Sequence, residues 1–250
     1  MELLRWVGIG GLVMALGCVH AAPSAPQVVL VQPSGAQIPA NLLRISIRFA
    51  NHVEGPVLRR ISLLHANGSE IQEPFLEQEL WSPDGEILTF MMHPGRVKSG
   101  LLAREEMGPI LSAGDTVLLT LDGRTIKRWT VAPADEMGPS LAAWTVSAVR
   151  AESRQPLVVT FDGAIDGQDG HYIAIADACG HRLAGRARLT NGEHKWTFTP
   201  DAPWQKGAYK LVVRGTLEDA AGNRLGSRFA TSIYSPPDPA TDASRTFAVP

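Results

Sequence analysis

Short runs of alternating apolar and polar residues recur along the chain. In residues 43–49 four apolar side chains alternate with polar ones, and residues 195–200 and 207–213 show the same pattern. A period of two residues is typical of a half-buried strand. Turn-forming pairs separate these runs, for example Asn67-Gly68 and Asp122-Gly123, which suit tight hairpins. The pattern therefore predicts an all-β fold of antiparallel β-sandwiches.

The second half of the chain repeats the first. Residues 157–161 match 44–49, residues 196–198 match 88–90, and residues 207–213 match 114–120. The offset shrinks before the last match, so the first repeat holds about fifteen extra residues within 94–113. We therefore predict two tandem sandwiches, the first with an inserted loop or short helix.

The boundaries follow from composition. The first sandwich is predicted over 27–132 and the second over 144–234. The polar segment 133–143 contains Pro and Gly and suits a linker between domains. Residues 235–250 are rich in Pro, Asp and Ala, which predicts a disordered tail.

The N-terminal residues 1–22 have the layout of a signal peptide. Arg5 precedes an apolar run over 6–17 that is too short to span a bilayer. Cleavage after Ala21 would release a soluble chain, whereas the lipobox-like Ala15-Leu-Gly-Cys18 would make Cys18 a lipidation residue. We expect an exported protein in the periplasm, at the outer membrane if lipidated, or outside the cell, with membrane contact only through Cys18.

Composition narrows the classes of function. The chain has 250 residues, 44% of them hydrophobic, and a formal net charge of −2, so it can bury a core but offers no basic patch for nucleic acid. Cys179 is the only thiol outside the N-terminal segment, so the mature chain is expected to form no internal disulfide.

Several motifs resemble a known family. These are Pro156-Leu-Val-Val-Thr-Phe161, Lys195-Trp-Thr-Phe-Thr-Pro200, Gly207-Ala-Tyr-Lys-Leu-Val-Val213 and Asp219-Ala-Ala-Gly-Asn223. Together they resemble the bacterial Ig-like domain first defined in S-layer proteins (SbsA-type). The resemblance implies immunoglobulin-like β-sandwiches in an exported or surface protein. It implies no activity, because such modules serve as spacers, stalks and binding platforms.

Two candidate metal motifs are weak. Residues 162–170 are rich in Asp, but Gln168 and Gly170 stand where calcium ligands are needed. Met91-Met-His93 suggests copper, although Met91 is expected on the core face of a strand. Cys179 and His181 suggest a catalytic Cys–His pair instead, but such neighbouring hairpin residues are expected to point in different directions. We therefore expect no metal site and no cofactor.

Enzyme motifs are absent from the sequence. It holds no Gly-x-Ser-x-Gly, no His-Glu-x-x-His and no phosphate-binding loop. We expect a protein that is not an enzyme.

The segment 94–113 is the best candidate for binding, because loops on a rigid sandwich often carry function. Residues 101–107 are expected to form a short helix, and the alternative role of the segment is to cover an open sheet edge. Trp204 lies in a turn and is a candidate for stacking on a sugar ring. The candidate binding residues are Arg96, Lys98, Arg104, Glu105, Glu106 and Trp204.

Two hypotheses for the function remain open. The first is a non-enzymatic envelope protein that acts as a structural or protein-interaction module, with a protein or an envelope component as its partner. The second is a periplasmic protein that binds a glycan or a metal through the 94–113 insertion and the groove between the domains.

Overall fold

The computed structural model describes residues 26–97, 101–229 and 240–250. These residues form an all-β molecule with antiparallel sheets, which confirms the predicted fold class. The predicted signal peptide with Cys18, and also Lys98, lie outside the described residues.

The first half of the chain forms two sheets. Its strands are β1 (Val28–Gln32), β2 (Gln37–Pro39), β3 (Arg44–Phe49), β4 (Ile61–His65), β5 (Leu80–Trp81), β6 (Ile87–Met91), β7 (Thr116–Leu121) and β8 (Arg124–Ala132). The strand order is β1-β3-β6-β5 in one sheet and β2-β8-β7-β4 in the other. All neighbours are antiparallel except β2 and β8, which run parallel. This order corresponds to the ABED and CFG sheets of an immunoglobulin fold.

The second half forms two sheets of the same order. Its strands are β9 (Thr145–Val146), β10 (Leu157–Thr160), β11 (Ile173–Ala176), β12 (Gly185–Thr190), β13 (Lys195–Pro200), β14 (Gly207–Val213) and β15 (Ala243–Val249). One sheet runs β12-β13-β10-β9 and the other runs β11-β14-β15. The strands matched by the sequence repeat therefore occupy equivalent places in the two halves.

Each half has its own cluster of buried side chains. The first cluster includes Ile45, Ile47 and Phe90, and the second is built around Trp144 and Trp196. Burying one such side chain contributes about 1.5 to 3 kcal/mol. Apart from Ala220, which joins the first cluster, the buried members of the two clusters lie on either side of the predicted linker 133–143. The exact domain boundaries stay a prediction.

The predicted disordered tail is wrong for its last part. Residues 243–249 form β15, which pairs with β14 along its whole length, from Gly207 opposite Val249 to Val213 opposite Ala243. Phe247 stacks on Tyr209 with 5.7 Å between the ring centres, and Val249 is buried. The prediction of a disordered tail rested on the Pro and Asp residues that precede this strand. The predicted end of the second sandwich at residue 234 therefore omits its last strand.

The predicted turns are confirmed. Asp122 and Gly123 both have positive φ angles, 52° and 73°, as the tight hairpin between β7 and β8 requires. Asp219 caps its own turn, because its Oδ1 accepts hydrogen bonds from the backbone N–H groups of Ala221 and Asn223. These turns fix the strand register locally.

The 94–113 insertion folds into two short helices, α1 (Pro94–Val97) and α2 (Leu102–Met107). The helix predicted over 101–107 is thereby confirmed. Short 3-10 helices occur elsewhere at Leu58–Arg60 and Asp169–Tyr172. Val97, Ile110 and Leu111 join the first core cluster, so the insertion is part of the packed structure.

Strand β6 corrects the placement of Met91. Its buried face carries Leu88 and Phe90 and continues into the buried Met92, whereas Met91 is only partly buried. Alternation along the strand puts residue 91 on the opposite face.

Across the three described ranges, no helix has the length and apolar character needed to cross a membrane.

Candidate functional site

Arg96, predicted as a surface binding residue, is buried. Its Nε donates to the carbonyl of Gly108 at 3.1 Å, and its Nη1 donates to the carbonyls of Gln72 and Glu73. Its burial lowers the pKa of the guanidinium. Arg96 therefore ties the insertion to the segment around residue 73 and is not free to bind a ligand.

The other predicted residues of the insertion do not converge. Arg104 donates to the carbonyls of Arg96 and Val97 at 2.8 and 3.1 Å, which satisfies the end of α1. Glu105 and Glu106 are exposed on α2. The insertion is thus held by its two arginines, and no cluster of its charged side chains forms among the described residues.

Trp204, predicted as a sugar-stacking residue, is buried in the second core. Its exposure is 1%, and its Nε1 donates to the carbonyl of Gln155 at 2.8 Å. Its ring packs edge-on against Tyr209 at 5.3 Å. The prediction was wrong because the turn position of the backbone does not determine where a large aromatic ring is directed.

A cavity of about 630 Å³ lies beside the insertion. Its apolar lining consists of Pro56, Leu58, Pro74, Phe75 and Leu76. Its polar lining consists of Arg59, Glu73, Glu77, Glu79 and His93. Apolar walls with a few polar groups are typical of ligand pockets.

The cavity wall is fixed by hydrogen bonds. Glu79 accepts from the backbone N–H of Leu58 at 2.6 Å and from Nε1 of Trp81 at 2.8 Å. Arg96 donates a hydrogen bond to the carbonyl of Glu73 at 3.2 Å. The Nδ1 atom of His93 is buried and has no hydrogen-bond partner in the described part of the chain. The insertion therefore supports one wall of a preformed pocket.

Sequence reasoning missed this cavity. It is built from two loop segments, 56–59 and 73–79, and from His93, which directly precedes the insertion. No motif joins these segments, and the only sequence signal was the surplus length of the neighbouring 94–113 segment.

A partly buried charge network joins the two halves of the chain. Arg44 of β3 forms ion pairs with Asp166, at 3.3 Å from Nε to Oδ2, and with Glu218. Asp169 accepts the backbone N–H of Glu218 at 2.7 Å, and Arg224 contacts the same Glu218 side chain at 3.2 Å. The aspartates of residues 162–170 thus bind protein groups from both halves.

Further hydrogen bonds extend this junction. The Gln32 side chain donates to the carbonyl of Gly167 at 3.2 Å and accepts from Gln168 Nε2 at 2.7 Å. Glu193 accepts the backbone N–H of Ser34 at 2.7 Å. The cavity beside Gln32 and Arg44 measures about 10 Å³. That is room for about one water molecule, so a sugar does not fit into the predicted groove here.

The linker is held from both sides as well. The carbonyl of Asp135 accepts hydrogen bonds from Asn41 at 2.7 Å and from Asn223 at 3.0 Å. These contacts fix residues 133–143 at Asp135 against both halves.

Burial shifts two carboxyl groups strongly. It raises the pKa of Asp169 to about 7, and the neighbouring Asp166 carboxylate adds to the effect. It also raises the pKa of Asp219 to about 7, against the opposing hydrogen bonds from Asn223. Asp169 lies in the junction and Asp219 in the turn that follows Glu218.

Comparisons with known proteins identify no family. No protein-family model and no curated protein matches the chain. Among solved structures, an L,D-transpeptidase from Mycobacterium smegmatis is similar at 13% identity and a TM-score of 0.30, with 77% of this chain and 66% of that one covered.

Two further structures are similar at the same level. The S-layer protein rSbsC gives 12% identity and a TM-score of 0.28, covering 75% of this chain and 23% of that one. SGBP-B from a complex xyloglucan utilization locus in Bacteroides uniformis gives 13% identity and a TM-score of 0.28, covering 82% of this chain and 48% of that one. The chain spans less than two thirds of each of these three proteins, and at these scores none of them indicates its activity.

The raised pKa of Asp169 predicts a pH-dependent effect of Asp169→Asn. The unfolded carboxyl ionises near 3.8 but the folded one only near 7, so the wild-type chain loses stability relative to the variant as the pH rises through this window. Between pH 3.8 and about 7, the unfolding free energy of the wild type should fall relative to that of Asp169→Asn. We expect this relative loss to be on the order of 2 to 4 kcal/mol. Urea denaturation of both proteins at a series of pH values measures it. Parallel stability curves would contradict the assignment.

Proposed function

We propose that this chain is a non-enzymatic exported protein of the cell envelope, and that its tandem Ig-like sandwiches act as a structural and protein-interaction module. The observation that carries the proposal is the open edge of strand β1. The signal-peptide layout of residues 1–22 supports the exported setting.

Among the residues that the structure describes, strand β1 pairs with β3 on one side, with a register shift between Val28 and Leu30, and ends its sheet on the other side. Val29 and Leu30 are 58% and 37% exposed. A groove of about 400 Å³ runs beside them, lined by residues 28–31, Ser34, Ile126 and Lys127. An open edge of this kind offers unpaired backbone groups and apolar contacts to an added strand.

Three other sheet edges are less open to pairing. Strand β12 presents the exposed Arg186 and Arg188, and charged side chains discourage pairing between edges. Strand β5 has only two residues, and Leu64 of β4 forms a bridge with Glu70. Strand β1 combines five residues with two exposed apolar side chains, which favours it as the interaction edge.

The proposal predicts a specific partner contact at Val29. A photo-reactive residue at this position should give one discrete cross-linked protein in envelope preparations, and Leu30→Lys should reduce the yield by about tenfold because it places a charge in the apolar contact. The same probe at Arg186 is the control. Leu30→Lys lies on the surface and should change stability by no more than about 0.5 kcal/mol. Equal cross-linking at both positions, or none at Val29, would exclude this edge.

The cavity beside the insertion favours a second candidate function, which is glycan binding. Phe75 and Leu76 provide apolar surface for a sugar face, while Glu77 and His93 offer polar groups for hydroxyls. Three glutamates face one arginine in the lining, which favours a neutral or amino sugar over an acidic one.

Calorimetric titration tests this second candidate. A neutral N-acetylglucosamine oligomer should bind, an acidic uronate oligomer should not, and Glu77→Ala should weaken binding by roughly fivefold or more through the loss of one hydrogen bond. Glu106→Ala, on the exposed side of α2, should leave binding unchanged. No heat from either sugar would remove glycan binding from consideration.

A further inference from the structure

We propose that the turn at residues 177–181 binds a zinc ion through Asp177, Cys179 and His181. The ligand atoms of these three side chains lie within 4.8 Å of one another. The site lies between β11 and β12 in the second half and is independent of the proposed interaction edge.

The backbone of the turn places the three side chains together. The Gly180 N–H donates to the carbonyl of Asp177 at 3.0 Å, and the Asp177 N–H donates to the carbonyl of His181 at 3.0 Å. Gly180 has a φ of +89°, which allows the tight turn. The expectation that Cys179 and His181 point apart was wrong, because the closed turn brings the alternate residues 177, 179 and 181 to one side.

The ligand atoms are available for coordination. Oδ1 of Asp177 accepts the backbone N–H of His181 at 2.9 Å, which fixes the carboxylate. Oδ2 lies 3.3 Å from Nδ1 of His181, and the Cys179 thiol is exposed and free of any disulfide. The metal would take the place of this contact between Asp177 and His181.

The required movement is small. Zinc bonds of about 2.0 to 2.3 Å in tetrahedral geometry place ligand atoms roughly 3.3 to 3.8 Å apart. Ligand atoms that now lie up to 4.8 Å apart therefore have to approach one another by about 1 Å. The His181 side chain is 82% exposed, so rotation of side chains can supply this without a change in the backbone.

The donor set selects the metal. Thiolate and imidazole favour zinc, whereas calcium and magnesium require oxygen ligands. Three protein ligands leave a fourth position for water. The thiol binds as a thiolate, and its proton is released into solvent.

The first half provides an internal comparison. Its equivalent turn begins at His65 and carries Asn67 where the second half has Cys179. The Asn67 side chain accepts the backbone N–H of Ser69 at 3.0 Å, so it serves the turn itself. The thiol in the second turn is not needed to build this kind of turn.

Cobalt titration of the reduced full-length chain tests the site. We expect a thiolate-to-cobalt charge-transfer band that saturates at a one-to-one ratio and disappears when zinc is added. Cys179→Ser should abolish the band, while Asp177→Ala and His181→Ala should each weaken binding by roughly tenfold or more. These side chains are exposed or half-buried, so the variants should stay folded, and melting curves check this.

Two controls separate this site from other thiol binding. Cys18→Ser and Asn67→Ala should leave the band unchanged. If the band is absent from the wild-type chain, or persists at full affinity in Asp177→Ala and His181→Ala, the proposed three-ligand site is wrong.

Discussion

The arrangement of the molecule depends on the ion pairs of Arg44 with Asp166 and Glu218. This guanidinium of the first half supplies the positive charge beside two carboxylates of the second. Because the Asp166 side chain is buried, removing the Arg44 guanidinium would leave its carboxylate without this opposite charge. Beside the network, Ala220 packs into the first core cluster, and its carbonyl accepts the N–H of Leu43 at 2.9 Å. Charge and apolar contacts together hold the halves as one unit.

Features governed by near neighbours in the sequence were predictable. Alternation identified β3, β13 and β14, and Asp-Gly and Asn-Gly pairs identified the turns, since each depends on a few consecutive residues. Features that depend on distant partners were not. Strand β15 requires the free edge of β14, the burial of Trp204 requires Phe247, and Arg96 requires carbonyls at residues 72 and 73. The junction and the cavity were not predicted either, because both are formed by residues that lie far apart in the sequence.

The repeated sandwich separates common structure from individual features. The two halves share the order of their equivalent strands, and the first half has the additional parallel strand β2. The differences lie in what each half adds to this frame. The first adds the insertion, the supported cavity and the open edge of β1, and the second adds the turn with Cys179. A fixed junction keeps these features at constant positions, as the proposed interaction module would require.

The distance between the two halves tests this account most directly. Spin labels at the exposed Thr125 and Ala208, in a chain with Cys18 and Cys179 replaced by serine, report that distance by pulsed electron paramagnetic resonance. A junction held by this charge network should give one narrow distribution, which Arg44→Ala broadens. Arg48→Ala, which changes an exposed arginine of the same strand, should not broaden it. A broad distribution in the unaltered junction, or no effect of Arg44→Ala, would contradict the claim that this charge network holds the halves together.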